Sequence, residues 1–179
     1  MCVHVSLVCR QLMEQYGFVV PGNSLDRVSF PPDLLQDQHG WMSHKAVKAA
    51  AQRVAVQQQD SEAAAAAHRA RTDAAVASVL KFRGWRNAAE YKATTPDSTV
   101  KCAAAMLTAV RQQRQSSPTT AAADSADMQQ LLETSKASTQ KRLLAALSYR
   151  LEHKLLLQAT ADVLLEVVNS GESALAGNR

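Results

Sequence analysis

Apolar positions recur at helical spacing along most of the chain. Near the start, Val5, Val8, Leu12 and Tyr16 fall three to four residues apart, which predicts a helix over residues 2–16 with one apolar face. Gly17 stands where a helix C-terminus takes a left-handed residue. Phe18-Val19-Val20 is a short apolar run, and Pro21-Gly22-Asn23 is turn chemistry. Asp26-Arg27-Val28-Ser29-Phe30 then alternates polar and apolar, the pattern of a short half-buried strand, and Pro31-Pro32 closes it.

Beyond a polar loop from Asp33 to Gly40, Ser43 is the expected N-cap of a helix beginning near His44, with Val47, Ala50, Ala51 and Val54 inward. Gln57 to Ser61 reads as a polar loop, with Asp60 or Ser61 capping the next helix. That helix crosses an alanine run, Ala63 to Ala67, before Val76, Val79 and Leu80 return as apolar anchors. Alanine forms helix well but offers little to pack. Gly84 ends this segment, and Trp85 and Tyr91 follow.

Thr94 to Ser98 reads as a loop with Asp97 or Ser98 as N-cap. The helix after it runs to about Arg114, with Val100, Ala103, Ala104, Leu107 and Val110 facing in. Gln115 to Asp124 is the most linker-like stretch. Ser125 or Asp127 starts a short helix with Leu131 and Leu132. Ser138 or Thr139 caps the last and strongest helix, through about Val168, striped by Leu144, Leu147, Leu151, Leu155, Ala159, Val163 and Val167. Asn169-Ser170-Gly171 stops it and leaves a frayed tail, 171–179. No internal repeat emerges, which disfavours a solenoid. The fold expected is mainly α: an irregular bundle of five or six helices with one short extended segment near the N-terminus.

Composition sharpens this picture. Of 179 residues, 46% are hydrophobic but only 4% aromatic, so the core is expected to be thin alanine-to-leucine packing. The net charge of +4 is mild, with no run of like charges and no interleaved aromatics. A solvated helical surface explains it better than a nucleic-acid interface, so no specific nucleic acid is expected as a partner. Three cysteines, at 2, 9 and 102, make an odd number without a Cys-x-x-Cys pair, which points to a reducing, intracellular compartment. No apolar run approaches the ~20 residues that cross a bilayer, and Arg10 and Glu14 break the apolar start that a signal peptide needs.

Few residues invite chemistry. Cys2, His4 and Cys9 are three imaginable metal ligands without a fourth nearby, so side chains of an ordinary helix are expected. His39 and His44 do not share a helical face. Arg150 and Lys154 lie four apart on the last helix. They read either as a polar face backed by Leu151 and Leu155, or as a basic face for an acidic partner surface.

Two stretches resemble a known family. "YGFVVPGNSLDRVSF", residues 16–30, entered from the helix "QLMEQYGF", resembles the end of the SET domain in the Rubisco large-subunit methyltransferase family. There a helix ending in Tyr-Gly-Phe leaves the catalytic domain, and an Asn-x-x-Asp-x-Val segment leads into an all-helical substrate-binding domain. "LLAALSYRLEHKLLLQATADVLLE", residues 143–166, is similar to a helix of that second domain, and the two stretches fall in the family's order.

The resemblance implies roles. Tyr16 and Phe18 match a tyrosine and a phenylalanine that line the family's lysine channel. A lysine ammonium, with a reference pKa of about 10.4, must lose a proton before it attacks the sulfonium methyl of S-adenosylmethionine. A narrow channel disfavours the charged form, a phenol orients the lone pair, and an aromatic wall limits the size of the methylated product. Tyr16 would be the orienting hydroxyl, Phe18 the wall, and Arg150 and Lys154 substrate contacts. The family's Asn-His cofactor motif and its earlier catalytic tyrosine are absent, and Cys9 and Gln11 stand where Asn and Glu are typical. The chain alone is therefore expected to bind no cofactor and to be inactive, S-adenosylmethionine belonging to the full-length architecture.

The resulting expectation is a SET remnant over residues 1–22 and a helical substrate-binding domain over 23–170. The chain would be the C-terminal part of a protein-lysine N-methyltransferase, less readily a histidine one. It would hold a protein substrate, in plastid, cytosol or nucleus, while an upstream domain transfers the methyl group. The alternative is a non-catalytic helical interaction module, an adaptor.

Overall fold

A computed structural model describes residues 9–16, 18–23, 25–30, 34, 42–56, 62–80, 95–133 and 140–176. These residues form six α-helices: α1 (Cys9–Tyr16), α2 (His44–Val56), α3 (Glu62–Leu80), α4 (Pro96–Gln115), α5 (Ala121–Glu133) and α6 (Lys141–Ala176). The mainly α bundle expected from the periodicity is what forms. His39, the stretch from Gln57 to Ser61, Gly84, Trp85 and Tyr91 lie outside the described residues.

Local chemistry sets most helix starts. Ser43 caps α2 as expected: its Oγ accepts from Ala46 N–H at 3.4 Å and its carbonyl from Val47 N–H at 3.1 Å. At α4 the cap is Thr95, two or three positions before the expected Asp97 or Ser98. Its hydroxyl accepts from Ser98 N–H at 3.1 Å, and Ser98 Oγ accepts from Thr95 N–H at 3.0 Å. Pro96 suits the first helical position because the amide it lacks has no partner there anyway. Ser98 is thus the far half of a capping box rather than the cap itself.

α5 begins at Ala121, earlier than its hydrophobic pattern suggests, because Thr120 Oγ1 accepts from Ala123 N–H at 3.1 Å. The expected linker shrinks to the turn at 116–120.

α6 is the axis of the bundle. It packs against each of the other five helices, and α2 and α3 also pack on each other. Being enclosed, α6 buries more than one stripe: Leu156, Leu157, Ala159, Thr160, Ala161, Val163, Leu164 and Val167 are all buried. Thr160 satisfies its hydroxyl by donating to Leu156 O at 2.8 Å, so it sits in the core without an orphaned donor. Leu151 and Leu155, expected in the stripe, are half-buried.

α6 also runs past the expected stop, through Gly171 to Ala176. A Cβ at Gly171 would lie 2.2 Å from Val100 Cγ2. The glycine is there for the close approach of α4, not as a terminator.

The core is assembled from small and branched aliphatics, as the composition foretold. Among the described residues its fully buried side chains include Met42, Met106, Leu157, Leu164, Val47, Val79 and Val110, and none is aromatic; Phe30 packs half-buried at its edge. In α4, Ala104 is exposed where it was expected inward, and Cys102 and Met106 take the inward places.

No strand forms among the described residues. Residues 18–23 and 25–30, read in part as a strand, instead make a strap laid across α3, α4 and α6. Side chains rather than a neighbouring strand satisfy its backbone. Gly22 N–H donates to Glu152 Oε2 at 3.0 Å, Val28 N–H to Ser78 Oγ at 2.9 Å, and Ser29 O accepts from Gln113 Nε2 at 2.6 Å. The alternation survives as burial, with Val28 in the core, Ser29 exposed and Phe30 half-buried.

Candidate functional site

Two polar sites stand out, one buried and one open. The buried one lies between α5 and α6. Asp124 is wholly buried near the start of α5, where the helix dipole favours a carboxylate. Lys154 Nζ donates to its Oδ2 at 2.6 Å and to Thr119 Oγ1 at 2.6 Å, Thr119 Oγ1 donates to Oδ1 at 2.8 Å, and Arg150 closes over both oxygens. Burial alone would raise the Asp124 pKa; the hydrogen bonds from Arg150, Lys154 and Thr119, with the Lys154 charge, outweigh it and bring the group down to about 2. Lys154 is itself buried, while the Arg150 side chain is 43% exposed. Both basic residues proposed as substrate contacts are thus brought together, and their described partner is this internal carboxylate.

A second internal ion pair fastens the strap. Glu152, buried on α6, accepts from Arg71 Nε at 2.9 Å and Nη2 at 2.8 Å, and from Gly22 N–H. Gly22 has φ +64°, and a Cβ there would lie 2.9 Å from Ala67 O on α3. Only glycine makes this turn and this approach without strain.

The open site is a cleft of about 370 Å³ where the strap, α1, α4 and α6 meet. Tyr149 and Leu156 of α6 contribute apolar surface. His153, one turn from Tyr149, stacks on it with ring centroids 6.3 Å apart and planes 17° from parallel. Arg10 comes from α1, and Asp26, Arg27 and Ser29 from the strap. Asp26 Oδ1 accepts from Cys9 N–H at 2.6 Å, and Arg10 Nε donates to Glu14 Oε1 at 2.8 Å. Burial raises the Tyr149 pKa above that of an ordinary phenol; Arg10 opposes the shift and nearby carboxylates add to it, so the hydroxyl stays protonated.

The cleft is not where the sequence pointed. Phe18 is 48% exposed on the strap, and neither it, Arg150 nor Lys154 lines the cleft. Tyr16 is the last residue of α1, and its side chain lies outside the described residues. Arg10, Arg27, Tyr149 and His153 were overlooked. The i, i+4 spacing of Tyr149 and His153 was the one signal available, and their meeting with Arg10 and Arg27 depends on how the strap lies.

Cys2 and His4 also lie outside the described residues, and no group of three His, Cys, Asp or Glu side chains able to hold a metal occurs among those described. Cys9 and Cys102 are buried free thiols. Burial first, then the Asp26 carboxylate, pushes Cys9 to about 12, and burial pushes Cys102 to about 11. Neither forms the thiolate that nucleophilic chemistry needs near neutral pH. No described helix is long and apolar enough to cross a membrane.

The fold and the cleft thus define a helical bundle with an open polar-and-aromatic groove. No family model, no curated protein and no solved structure matches the chain.

Proposed function

We propose that this chain is a helical protein-binding module and, more finely, the substrate-holding C-terminal part of a SET-type protein-lysine methyltransferase. One observation carries the finer reading. The two stretches that resemble the family, residues 16–30 and 143–166, meet in their described residues: Gly22 N–H reaches Glu152 Oε2 across 130 positions of sequence. Asp26 and Arg27 of the first share a cleft with Tyr149 and His153 of the second. In this reading an upstream catalytic domain binds S-adenosylmethionine, and the bundle presents the protein substrate. Tyr16 orients the lysine amine, and Phe18 walls the channel.

The second reading is the adaptor, a helical interaction module without catalytic descent. It is favoured by Phe18 at 48% and Val20 at 42% exposure, on a bundle with no strand among its described residues.

Calorimetric titration with S-adenosylmethionine separates the two, on this chain and on a form extended upstream in its gene. Binding by the extended form alone supports the methyltransferase reading. Tyr16→Phe in that form should then slow single-turnover transfer or change the number of methyl groups added. Binding by neither form leaves the adaptor. Binding by this chain alone overturns the assignment of the cofactor to an upstream domain.

A further inference from the structure

We propose that Ser117, in the turn between α4 and α5, is a phosphorylation site for a proline-directed protein kinase. The step transfers the γ-phosphoryl group of a nucleoside triphosphate. Ser117 Oγ bonds to the γ-phosphorus and the bond from that phosphorus to the bridging oxygen of the β-phosphate breaks. The nucleoside diphosphate leaves, and the hydroxyl proton passes to the kinase's base. Ser117 has this role whichever partner the bundle holds.

The turn at 116–120 carries hydroxyls at Ser116, Ser117, Thr119 and Thr120, and three of them are engaged. Ser116 Oγ donates to Gln113 O at 2.8 Å. Thr119 Oγ1 donates to Asp124 Oδ1 at 2.8 Å and accepts from Lys154 Nζ at 2.6 Å. Thr120 Oγ1 accepts from Ala123 N–H at 3.1 Å. The Ser117 hydroxyl has no partner among the described residues; only its backbone N–H is used, donating to Arg114 O at 3.3 Å. It therefore gives up nothing but water on entering a kinase site.

Proline follows it. Pro118 disfavours the helical region for Ser117, and α4 ends at Gln115. Proline also brings no N–H. A kinase pocket that offers no acceptor at this place rejects every other residue, whose amide would be stranded there. The turn lies at the surface, with Ser116 and Pro118 exposed and Ser117 partly so. The last turn of α4 exposes Gln112, Arg114 and Gln115, so little packing is lost when it frays to lie extended in a kinase groove.

The chain has one other hydroxyl followed by proline, Thr95-Pro96, and there the fold gives the opposite answer. Thr95 Oγ1 accepts from Ser98 N–H in the capping box, and α4 begins at Pro96. Extending the chain at this point would unwind a helical turn whose Ser98 and Thr99 are buried.

A phosphoserine adds a charge of about −2. At position 117 it would stand one turn from the Arg114 guanidinium, which favours it, and at the C-terminus of α4, whose dipole opposes it. The opposed effects leave it as a charged mark on the surface, apart from the buried Asp124.

The folded chain, incubated with magnesium-ATP and a purified proline-directed kinase and read by tandem mass spectrometry, tests this. Synthetic peptides of residues 90–100 and 112–122 show what the kinase takes where no fold intervenes, and both should be labelled. The folded chain should be labelled at Ser117, and about tenfold or more slowly at Thr95. Pro118→Ala should slow labelling of Ser117 about tenfold, the effect of one stranded amide. Ser117→Ala should leave the turn unlabelled.

A folded chain without phosphate at Ser117 overturns the site, whether or not the peptide is labelled. Label that persists in the turn of Ser117→Ala puts the phosphate on an engaged hydroxyl and overturns it too. Equal labelling of Thr95 and Ser117 in the folded chain overturns the selection by the fold.

Discussion

At the scale of single residues, the sequence offered Arg150 and Lys154 as a pair, and the fold separates their weights. Lys154 is buried against the wholly buried Asp124, whereas Arg150 reaches the same carboxylate from a partly solvated position. Removing one member of a buried pair strands the other charge in a medium that solvates it poorly. Lys154→Ala is therefore expected to cost about 3–5 kcal/mol in urea unfolding. Arg150→Ala should cost distinctly less. Equal losses would show that burial does not set the difference.

The acid side carries a second signature. Asp124 is held down to about 2 from an ordinary 3.8, so its stabilising effect is complete above roughly pH 4. It is lost as the pH falls through about 2, and the loss amounts to about 2 kcal/mol. Asp124→Asn should be less stable at neutral pH and flatter across that window, which unfolding curves at stepped pH would reveal.

At the scale of elements, glycine positions report where helices and strap touch. Gly171 lies within α6 facing Val100 of α4, and an added Cβ would meet Val100 Cγ2 at 2.2 Å. Alanine ordinarily favours a helix interior over glycine by about 1 kcal/mol. Here the stiff, branched Val100 cannot swing aside cheaply, so Gly171→Ala should lower the melting temperature. Adding Val100→Ala should recover part of the loss. A simple sum of the two single effects would mean that the helices do not approach as described.

Gly22 makes the same point for the strap. Its positive φ and its approach to Ala67 O make Gly22→Ala costly by about 1–3 kcal/mol. Thermal melts of that variant give the measurement.

At the scale of the whole molecule, every other described helix rests on α6, so the bundle is expected to unfold as one cooperative unit. Its amides from Leu156 to Val167 are expected to exchange slowest with deuterium, at the rate of global unfolding. The ends of α2 and α5, which carry the exposed Val56 and Leu132, should exchange sooner. Cavity cost should follow the same axis. Leu157→Ala and Leu164→Ala should each lose about 2–5 kcal/mol, because a closely packed core collapses poorly around a missing side chain. Chemical denaturation with two spectroscopic probes would show a single transition or refute the one-unit view.

Periodicity of 3.6, an abundance of alanine and leucine, and caps such as Ser43 are local properties, and they were enough to predict a mainly α bundle and the course of its helices. They also marked residues 16–30 as the place where the chain breaks from that pattern. What they could not supply is anything that depends on two distant segments meeting. Asp124, placed in a linker by its polar neighbours, became a wholly buried carboxylate because α5 packs it onto Lys154. Gly171, a stop signal by local rules, became a contact because α4 leaves no room for a Cβ. The alternation of residues 26–30 announced a strand, but among the described residues no second strand pairs with it, and helix side chains take backbone hydrogen bonds instead. The cleft has the same origin: Arg10 and Arg27 are ordinary surface cations until the strap carries them across to Tyr149 and His153. Sequence settles what each segment prefers alone, because those preferences act over a few residues. The tertiary structure decides which charges are buried and which groups face one another, because only packing excludes the water that would otherwise hold them apart.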